Sequence, residues 1–443
     1  MPATTFIAKH HWIAEQGLRL DAGAYAGGAA AVRDRVIDGD WPWRRLDEVS
    51  HCFYEARFAR NYVLHAAHGT QFLTASDMLL ADLKGLRLLS TRGTPQLHDL
   101  QLQPGWTLMS RSGTIGRTVY VRGEMQGMVA SDDVIRIASD EQVMTPGYLF
   151  AYLTSAPAQA LIQQRTYGSV VQHIEPHHIA DLPVPLPDAA KQQRIHALVA
   201  GAAAARTEAS RLLDEAAGYF DALAGPMPSL HDHARAAGVV RRSGLGMRLD
   251  PFHHVGWAAE VGGLEGTPIG ELATVSRPAI VKRIFVDGGI PWVSGIDIYQ
   301  IRPTFRDRIR RADAESANCL IHEGQVLVQR SGQRYGLIGR AAYVGKRCEG
   351  WAAGEDLMRV AAESHYDAAR IFAFLRSDVG RRAMLRHSYG TSIPHVNPEG
   401  IASLIIPPLP DPLLAGATRA LALREQADAD EERAVREVEG WLG

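Results

Sequence analysis

The sequence predicts an α+β chain: two mixed α/β domains in tandem duplication, separated by two long antiparallel helices related by pseudo-two-fold symmetry. Three observations predict it. The 443-residue chain repeats seven segments in one order, at an offset of 219 to 229 residues. Each copy holds short β-branched runs bounded by glycine, followed by a segment of helical spacing. Each copy then leaves through a proline-rich exit into an Ala-rich stretch with heptad-spaced apolar residues.

The repeat runs in order through both halves. GLRLDAGAY (17–25) is echoed by GMRLDPFHH (246–254), GWTLMSRSG (105–113) by GQVLVQRSG (324–332), and IGRTVYV (115–121) by IGRAAYV (338–344). ASDDVIRIA (130–138) matches AGEDLMRVA (353–361), and FAYLTS (150–155) matches FAFLRS (372–377). YGSVVQHI (167–174) matches YGTSIPHV (389–396), and LPVPLPD (182–188) matches LIIPPLPD (404–411). A unit of about this size is a domain with a helix, far too large for a solenoid repeat.

Within a unit, an apolar run (106–109, 325–328) enters a turn at Ser112-Gly113 or Ser331-Gly332. A second run (118–121, 341–344) and a third (133–137, 356–360) follow, and all read as strands joined by turns. Residues 148–165 and 369–387 have helical spacing. The exits at Pro183, Pro185, Pro187 and at Pro407, Pro408, Pro410 end each domain, and Asp188 and Asp411 can cap the helices that follow.

The first long helix, 188–225, offers the seam Ile195, Leu198, Ala202, Ala205, Ala209, Leu212, Ala216, Tyr219, Leu223, which asks for a partner helix. At about 1.5 Å per residue it would span roughly 54 Å. Its partner is the second helix, 411–443, with the seam Leu413, Ala417, Ala420, Arg424, Ala427, Glu431, Ala434, Val438, Trp441. The domain reading is therefore 1–187, helix 188–225, linker 226–245, second domain 246–410, helix 411–443.

Composition narrows the chemistry. The chain is 46% apolar and 22% charged, within the range of soluble globular proteins. Its net charge of −2 requires any nucleic-acid surface to be a local gathering of basic residues. Cys52, Cys319 and Cys348 lack pair spacing, which fits a reducing cytoplasm. The N-terminal stretch has no signal-peptide core, and no apolar run is long enough for a membrane span. There is no Gly-rich loop for S-adenosylmethionine and no P-loop ending in GKS or GKT. The amino-methyltransferase motif Asn/Asp-Pro-Pro-aromatic is missing too, Asn397-Pro398-Glu399-Gly400 being the nearest string. No G-x-S-x-G elbow surrounds Ser112, Ser169 or Ser331, and no histidine pair has zinc-ligand spacing. The chain is read as non-catalytic, with no metal or cofactor of its own.

On the RLDAGAY and RLDPFHH openings, the SRSGTIGRTVYV and QRSGQRYGLIGRAAYV turns, ASDDVIRI, YGSVVQHI, and LPVPLPDAAKQQRI entering a long helix, the chain resembles the specificity (S) subunit of type I restriction-modification systems. The likeness covers nearly the whole length and extends to related anti-phage modification systems. It implies two target-recognition domains, each reading half of a bipartite double-stranded DNA sequence. It also implies that the helices act as spacer and as dock for two methyltransferase subunits and, through them, restriction subunits. S-adenosylmethionine would belong to the partner methyltransferase. The alternative is a defence-system adaptor or decoy that keeps the helical dock without reading DNA.

DNA contacts are expected at the Ser-Gly turns: Arg111, Ser112, Thr114 and Arg117 in the first copy, Arg330, Ser331, Gln333, Arg334, Tyr335 and Arg340 in the second. Arginine can hold guanine or phosphate in bidentate fashion, and glutamine can pair with adenine. The glycines read first as tight-turn formers. Residues shared between copies should hold backbone or fold, while unshared ones such as Gln333, Arg334 and Tyr335 should read bases. Tyr167, Ser169, Gln172 and His173, with Tyr389, Thr391 and His395, either contact phosphate or brace the helix base. The arms 57–62 and 291–299 are further base-reading candidates. Asp132-Asp133 and Glu355-Asp356 point to opposite faces of a strand, so an ion-paired role is expected rather than a metal site.

Overall fold

Glycine turns return the β-branched runs within a few residues, so each copy folds its strands into antiparallel sheet. The computed structural model describes residues 9–15, 28–55, 58–94, 97–166, 173–225, 253, 264–333, 336–390 and 392–442. The RLDAGAY opening, nearly all of the RLDPFHH opening, the linker 226–245, Arg57, Tyr167, Ser169, Gln172, Arg334, Tyr335 and Thr391 lie outside the described residues. The chain forms two compact units, Met1–Thr207 with Gln426–Gly443, and Glu208–Glu425.

In chain order the first unit contains α1 (Ala29–Ile37), β1 (Trp43–Arg45), β2 (Ser50–Phe53), β3 (Tyr62–Val63), β4 (Gly69–Leu73) and β5 (Arg87–Ser90). It continues with β6 (Thr107–Ser110), β7 (Thr118–Tyr120), β8 (Val129–Ala130), β9 (Val134–Ser139), α2 (Pro146–Thr154), α3 (Ala156–Gln164) and β10 (Pro183–Pro185) before α4 (Ala189–Ala224) begins. The second unit contains β11 (Thr267–Pro268), β12 (Ala273–Ser276), β13 (Phe285–Val293), β14 (Asp307–Ile309), β15 (Val326–Gln329) and β16 (Ala341–Tyr343). Then come β17 (Ala352–Ala353), β18 (Leu357–Ala362), α5 (His365–Arg376), α6 (Asp378–Arg386), β19 (Ile405–Ile406) and the start of α7 (Asp411–Leu442). The chain is thus mixed α/β with two long helices, as the sequence predicts.

The duplication is visible bond by bond. The main sheet of the first unit has the order β2-β9-β6-β7, and that of the second β12-β18-β15-β16. Thr107 faces Ile137 in one as Val326 faces Val360 in the other. A smaller sheet stands beside each, β3-β5-β4-β8 and β14-β13-β17, with one parallel pair in each copy, β4 with β8 and β13 with β17. The exit strand closes back on the domain's first strand, β1 with β10 and β11 with β19.

The segment 148–165 is two helices rather than one, and so is 369–387. Ser155 and Ser377 break them: each adopts an extended conformation, and its hydroxyl donates to the carbonyl three residues back, Tyr152 or Phe374. A serine that bonds its own backbone competes with the helix ladder. Helix α2 is apolar all round and buries Tyr148, Leu149, Phe150, Tyr152 and Leu153 in the first core.

The long helices complete these cores. In the first unit the α4 residues Ile195, Val199 and Ala203 join Ala434 and Val438 of α7. There Arg194 pairs with Glu437 at 2.9 Å and Arg206 with Asp428 at 2.7 Å, so the two segments run antiparallel. In the second unit, Ala209, Leu213, Ala216 and Phe220 share a core with Ala417, Ala420 and Leu421. Asp188 caps α4, accepting from the Lys191 amide at 2.9 Å. The α7 seam is the expected one, with Ala417, Ala420, Ala427, Glu431, Ala434 and Val438 buried. The α4 seam is shifted. Ile195, Ala202, Ala209 and Ala216 are buried, but the alternate stripe is Val199, Arg206, Leu213 and Phe220, and Leu223 is exposed. A helix packed against both a domain and a second helix needs a broader buried stripe than a two-helix seam.

Candidate nucleic-acid interface

The Ser-Gly turn grows from the end of β6. The Ser110 hydroxyl accepts from the Arg117 amide at 2.9 Å and closes the turn, with Gly113 and Gly116 at φ 72° and 81°. At Gly116 a Cβ would stand 3.0 Å from the Gln159 side chain and 3.1 Å from Ile162. Gly339 repeats this at φ 74°, facing Met384 at 3.0 Å. Both positions need glycine for conformation and space.

The shared polar residues of the turn are bonded within their own unit. Arg111 Nε donates to Glu175 at 3.1 Å, Nη2 bonds the same oxygen, and the guanidinium stacks 4.8 Å over Tyr54. The Ser112 hydroxyl donates to Asp133 at 2.9 Å. The second copy keeps the plan with fewer partners: Arg330 lies 3.4 Å from Asp356, and Ser331 donates to Asp356 at 2.8 Å. Burial acts to raise the Glu175 pKa, yet hydrogen bonds from Arg111 and Tyr54 and the guanidinium charge outweigh it and hold the carboxyl below its usual range. Asp132 pairs with Arg60, and Glu355 with Arg283 at 3.4 Å. Each adjacent acidic pair is therefore divided between two arginine partners.

The turn and the domain exit, far apart in sequence, meet in both units. Ser112 bridges His173, and the Ile174 amide donates to the Arg111 carbonyl at 3.0 Å. Ser331 bridges His395, Val396 donates to Arg330 at 3.0 Å, and Tyr389 exchanges two 2.8 Å backbone bonds with His395. Desolvation, then the neighbouring Arg330 charge, lowers the His395 pKa. Tyr389 lines a surface cavity of about 420 Å³ with His387, Asn397 and Glu399. Thr114 and Gln333 are exposed, and the Gln333 amide reaches the Ser392 carbonyl at 3.4 Å. Arg117 is half-buried, and Arg340 sits 5.6 Å over the Tyr299 ring.

Exposed cations gather instead at the smaller sheets, where the copies differ. In the second unit Phe285 pairs with Ile309, so the arm 277–285 runs beside Arg306, Arg308 and Arg310. Arg277, Lys282, Arg306 and Arg310 are exposed, and Ile280 is 75% exposed, with Ile284 and Phe285 also uncovered. In the first unit the corresponding place carries Arg60, Arg87 stacked on Tyr62 at 4.8 Å, Arg92, and Leu64 at 68% exposure. Within the candidate arm 291–299, Trp292, Val293, Ile298 and Tyr299 are core residues, the first two because β13 is packed between two neighbours, while Ser294 and Ile296 are exposed. The sequence pointed to 57–62 but missed 277–285 and 306–310, where apolar and basic residues alternate without a motif. Among the described residues, no group of three or more His, Cys, Asp or Glu could hold a metal, and no helix is long and apolar enough to cross a membrane.

No family model matches the chain, and no curated protein does. Among solved structures it is similar to a type I restriction-modification S subunit from M. genitalium, at 12% identity and TM-score 0.29, covering 91% of this chain and 94% of that one. It is similar to an HsdS subunit from Thermoanaerobacter tengcongensis, at 14% identity and TM-score 0.27, covering 91% and 95%. A third is a chain from a structural study of complex assembly and conformational transition of the type I R-M system, at 15% identity and TM-score 0.28, covering 91% and 96%.

Proposed function

We propose that the chain is a non-catalytic recognition subunit that reads a bipartite double-stranded DNA target, one half with each unit. The observation that carries this reading is the split between shared and unshared residues. The shared polar residues, Arg111 with Ser112 and Arg330 with Ser331, are tied to carboxylates of their own unit. The residues that differ at the smaller sheets are exposed, basic and tipped with apolar groups. A common scaffold carrying two different cationic surfaces suits two different half-sites, since phosphate contacts position a protein and base contacts specify the sequence.

Under this reading the DNA contacts of the second unit come from Arg277, Lys282, Arg306 and Arg310, with Gln333 and the neighbouring Arg334 and Tyr335. Those of the first come from Arg87, Arg92 and Thr114. Helices α4 and α7 space the reading heads and dock two methyltransferase subunits, which hold S-adenosylmethionine and flip the target base. Electrophoretic mobility of the chain with its methyltransferase, over a salt series, tests this. Sequence-selective binding that weakens with salt supports it, and no salt-sensitive binding in the complex favours an adaptor that does not read DNA.

A further inference from the structure

Where α4 and α7 meet in the first unit, three buried charged side chains, Arg206, Glu431 and Arg122, are gathered with the partly exposed Asp428 and Glu124. Arg206 has 8% of its side chain exposed and Glu431 has 5%, and the two form an ion pair. Asp428 joins Arg206 at 2.7 Å. Beside them Arg122, with 1% exposed, pairs with Glu124 at 2.9 Å. A buried guanidinium tolerates few neighbours: without a carboxylate its desolvation is uncompensated.

That demand discriminates between alignments. Sliding α7 by one heptad toward its C-terminus would place Leu421 and Arg424 opposite Arg206, an apolar residue and a like charge. Sliding it the other way would place Val435 and Val438 there. The duplication poses a second problem, because α4 and α7 are copies and either could pair with itself in a second chain. At the offset of 223 residues between Asp188 and Asp411, Asp428 corresponds to Ala205, Glu431 to Glu208 and Arg206 to Ala429. A second α4 in the place of α7 would offer one carboxylate instead of two. A second α7 in the place of α4 would leave Glu431 buried without a guanidinium.

We propose that Arg206, with Asp428 and Glu431, is a buried polar key that admits the C-terminal half of α7 to the first unit at one register, in preference to a second copy of α4. Other contacts hold the same segment, since the Ala156 amide donates to Glu439 at 2.7 Å and Trp441 meets Trp41 edge-on at 5.4 Å. Those add grip at one end. The buried charges add a penalty for a one-heptad slip in either direction and for a second copy of either helix. A single buried polar position that sets register at some cost in stability is well attested in paired helices.

The full chain carrying a photo-crosslinking amino acid in place of Arg194 tests this. Crosslinked peptides are mapped by mass spectrometry, and light scattering reports the mass. The expected adducts of the otherwise native chain centre on Glu437, which pairs with Arg194 at 2.9 Å. In the apolar variant Arg206→Leu/Asp428→Leu/Glu431→Leu, adducts one heptad away at Asp430, or between chains, should rise to a comparable yield. Unchanged adducts and mass in a folded apolar variant would overturn the proposal. If that variant does not fold, the charge reversal decides. Arg206→Glu alone should lose the Glu437 adduct, and adding Glu431→Arg should restore it. Failure of the second change to restore it would equally overturn the proposal.

Discussion

Arg136 Nη2 donates to the Ala130 carbonyl at 2.7 Å in the interior of the first unit, and Arg359 repeats the bond to Ala353 at 2.9 Å in the second. Each guanidinium also bonds the carbonyl two residues before it, Val134 or Leu357, and one from the preceding loop, Leu100 or Cys319. An arginine on β9, and its counterpart on β18, thus ties each main sheet to the smaller one. Desolvation brings both pKa values down to about 10, so both remain charged at neutral pH. Arg136→Met and Arg359→Met should each cost about 3 kcal/mol, because buried carbonyls lose their donors. Urea denaturation of the full chain measures this, and lysine at either site should not rescue it, lacking the planar fork.

Arg111 is a brace between the Ser-Gly turn and the domain exit. Arg111→Met should lower stability by about 2 kcal/mol by removing a partly buried pair with Glu175. Arg330→Met, with a longer contact to a more exposed Asp356, should cost less, about 1 kcal/mol. Chemical denaturation checks the order of the two.

Much of this was legible in the sequence, and what was not has a physical reason. Three of the four main-sheet strands in each unit and both long helices announce themselves by glycine-bounded β-branched runs and by heptads, while the edge strands β2 and β12 carry no such signal. Arg206 was passed over in the α4 seam because a charge in a buried stripe is intelligible only once Asp428 and Glu431 are seen opposite it. Likewise, Glu439 and Asp221 accept from the first amides of α3 and α6, at 2.7 Å to Ala156 and 2.9 Å to Val379. These are helix N-terminal contacts supplied by a distant segment, and no local pattern encodes them. The smaller sheets were missed because β3, β8 and β17 are two residues long and carry no periodicity.

His395 should give the second unit a pH dependence. Its folded pKa lies below the ordinary 6.5, through desolvation first and Arg330 second, with Arg277 adding to the effect and Asp356 opposing it. Below 6.5 the unfolded chain binds the proton more readily than the folded one, so stability is full above that pH and falls as pH drops toward the folded value. Thermal unfolding between pH 7.5 and about 5 should show this loss, and His395→Gln should flatten it.

The arm of the second unit should act through charge. Lys282→Ala, Arg306→Ala and Arg310→Ala should each weaken binding across all sequences and reduce the salt slope by about one. Ile280→Ser should weaken binding with the slope unchanged, since it carries no charge to release counterions. Fluorescence anisotropy of the methyltransferase complex over a salt series separates the two effects.

The two units should read two separate half-sites. Sequencing of modified bases in cells that contain this chain and its methyltransferase tests it most directly. The expected result is a motif of two short half-sites separated by an unread gap of fixed length, with Gln333→Ala relaxing one half-site and leaving the other intact. A continuous motif, or no motif at all, would contradict it.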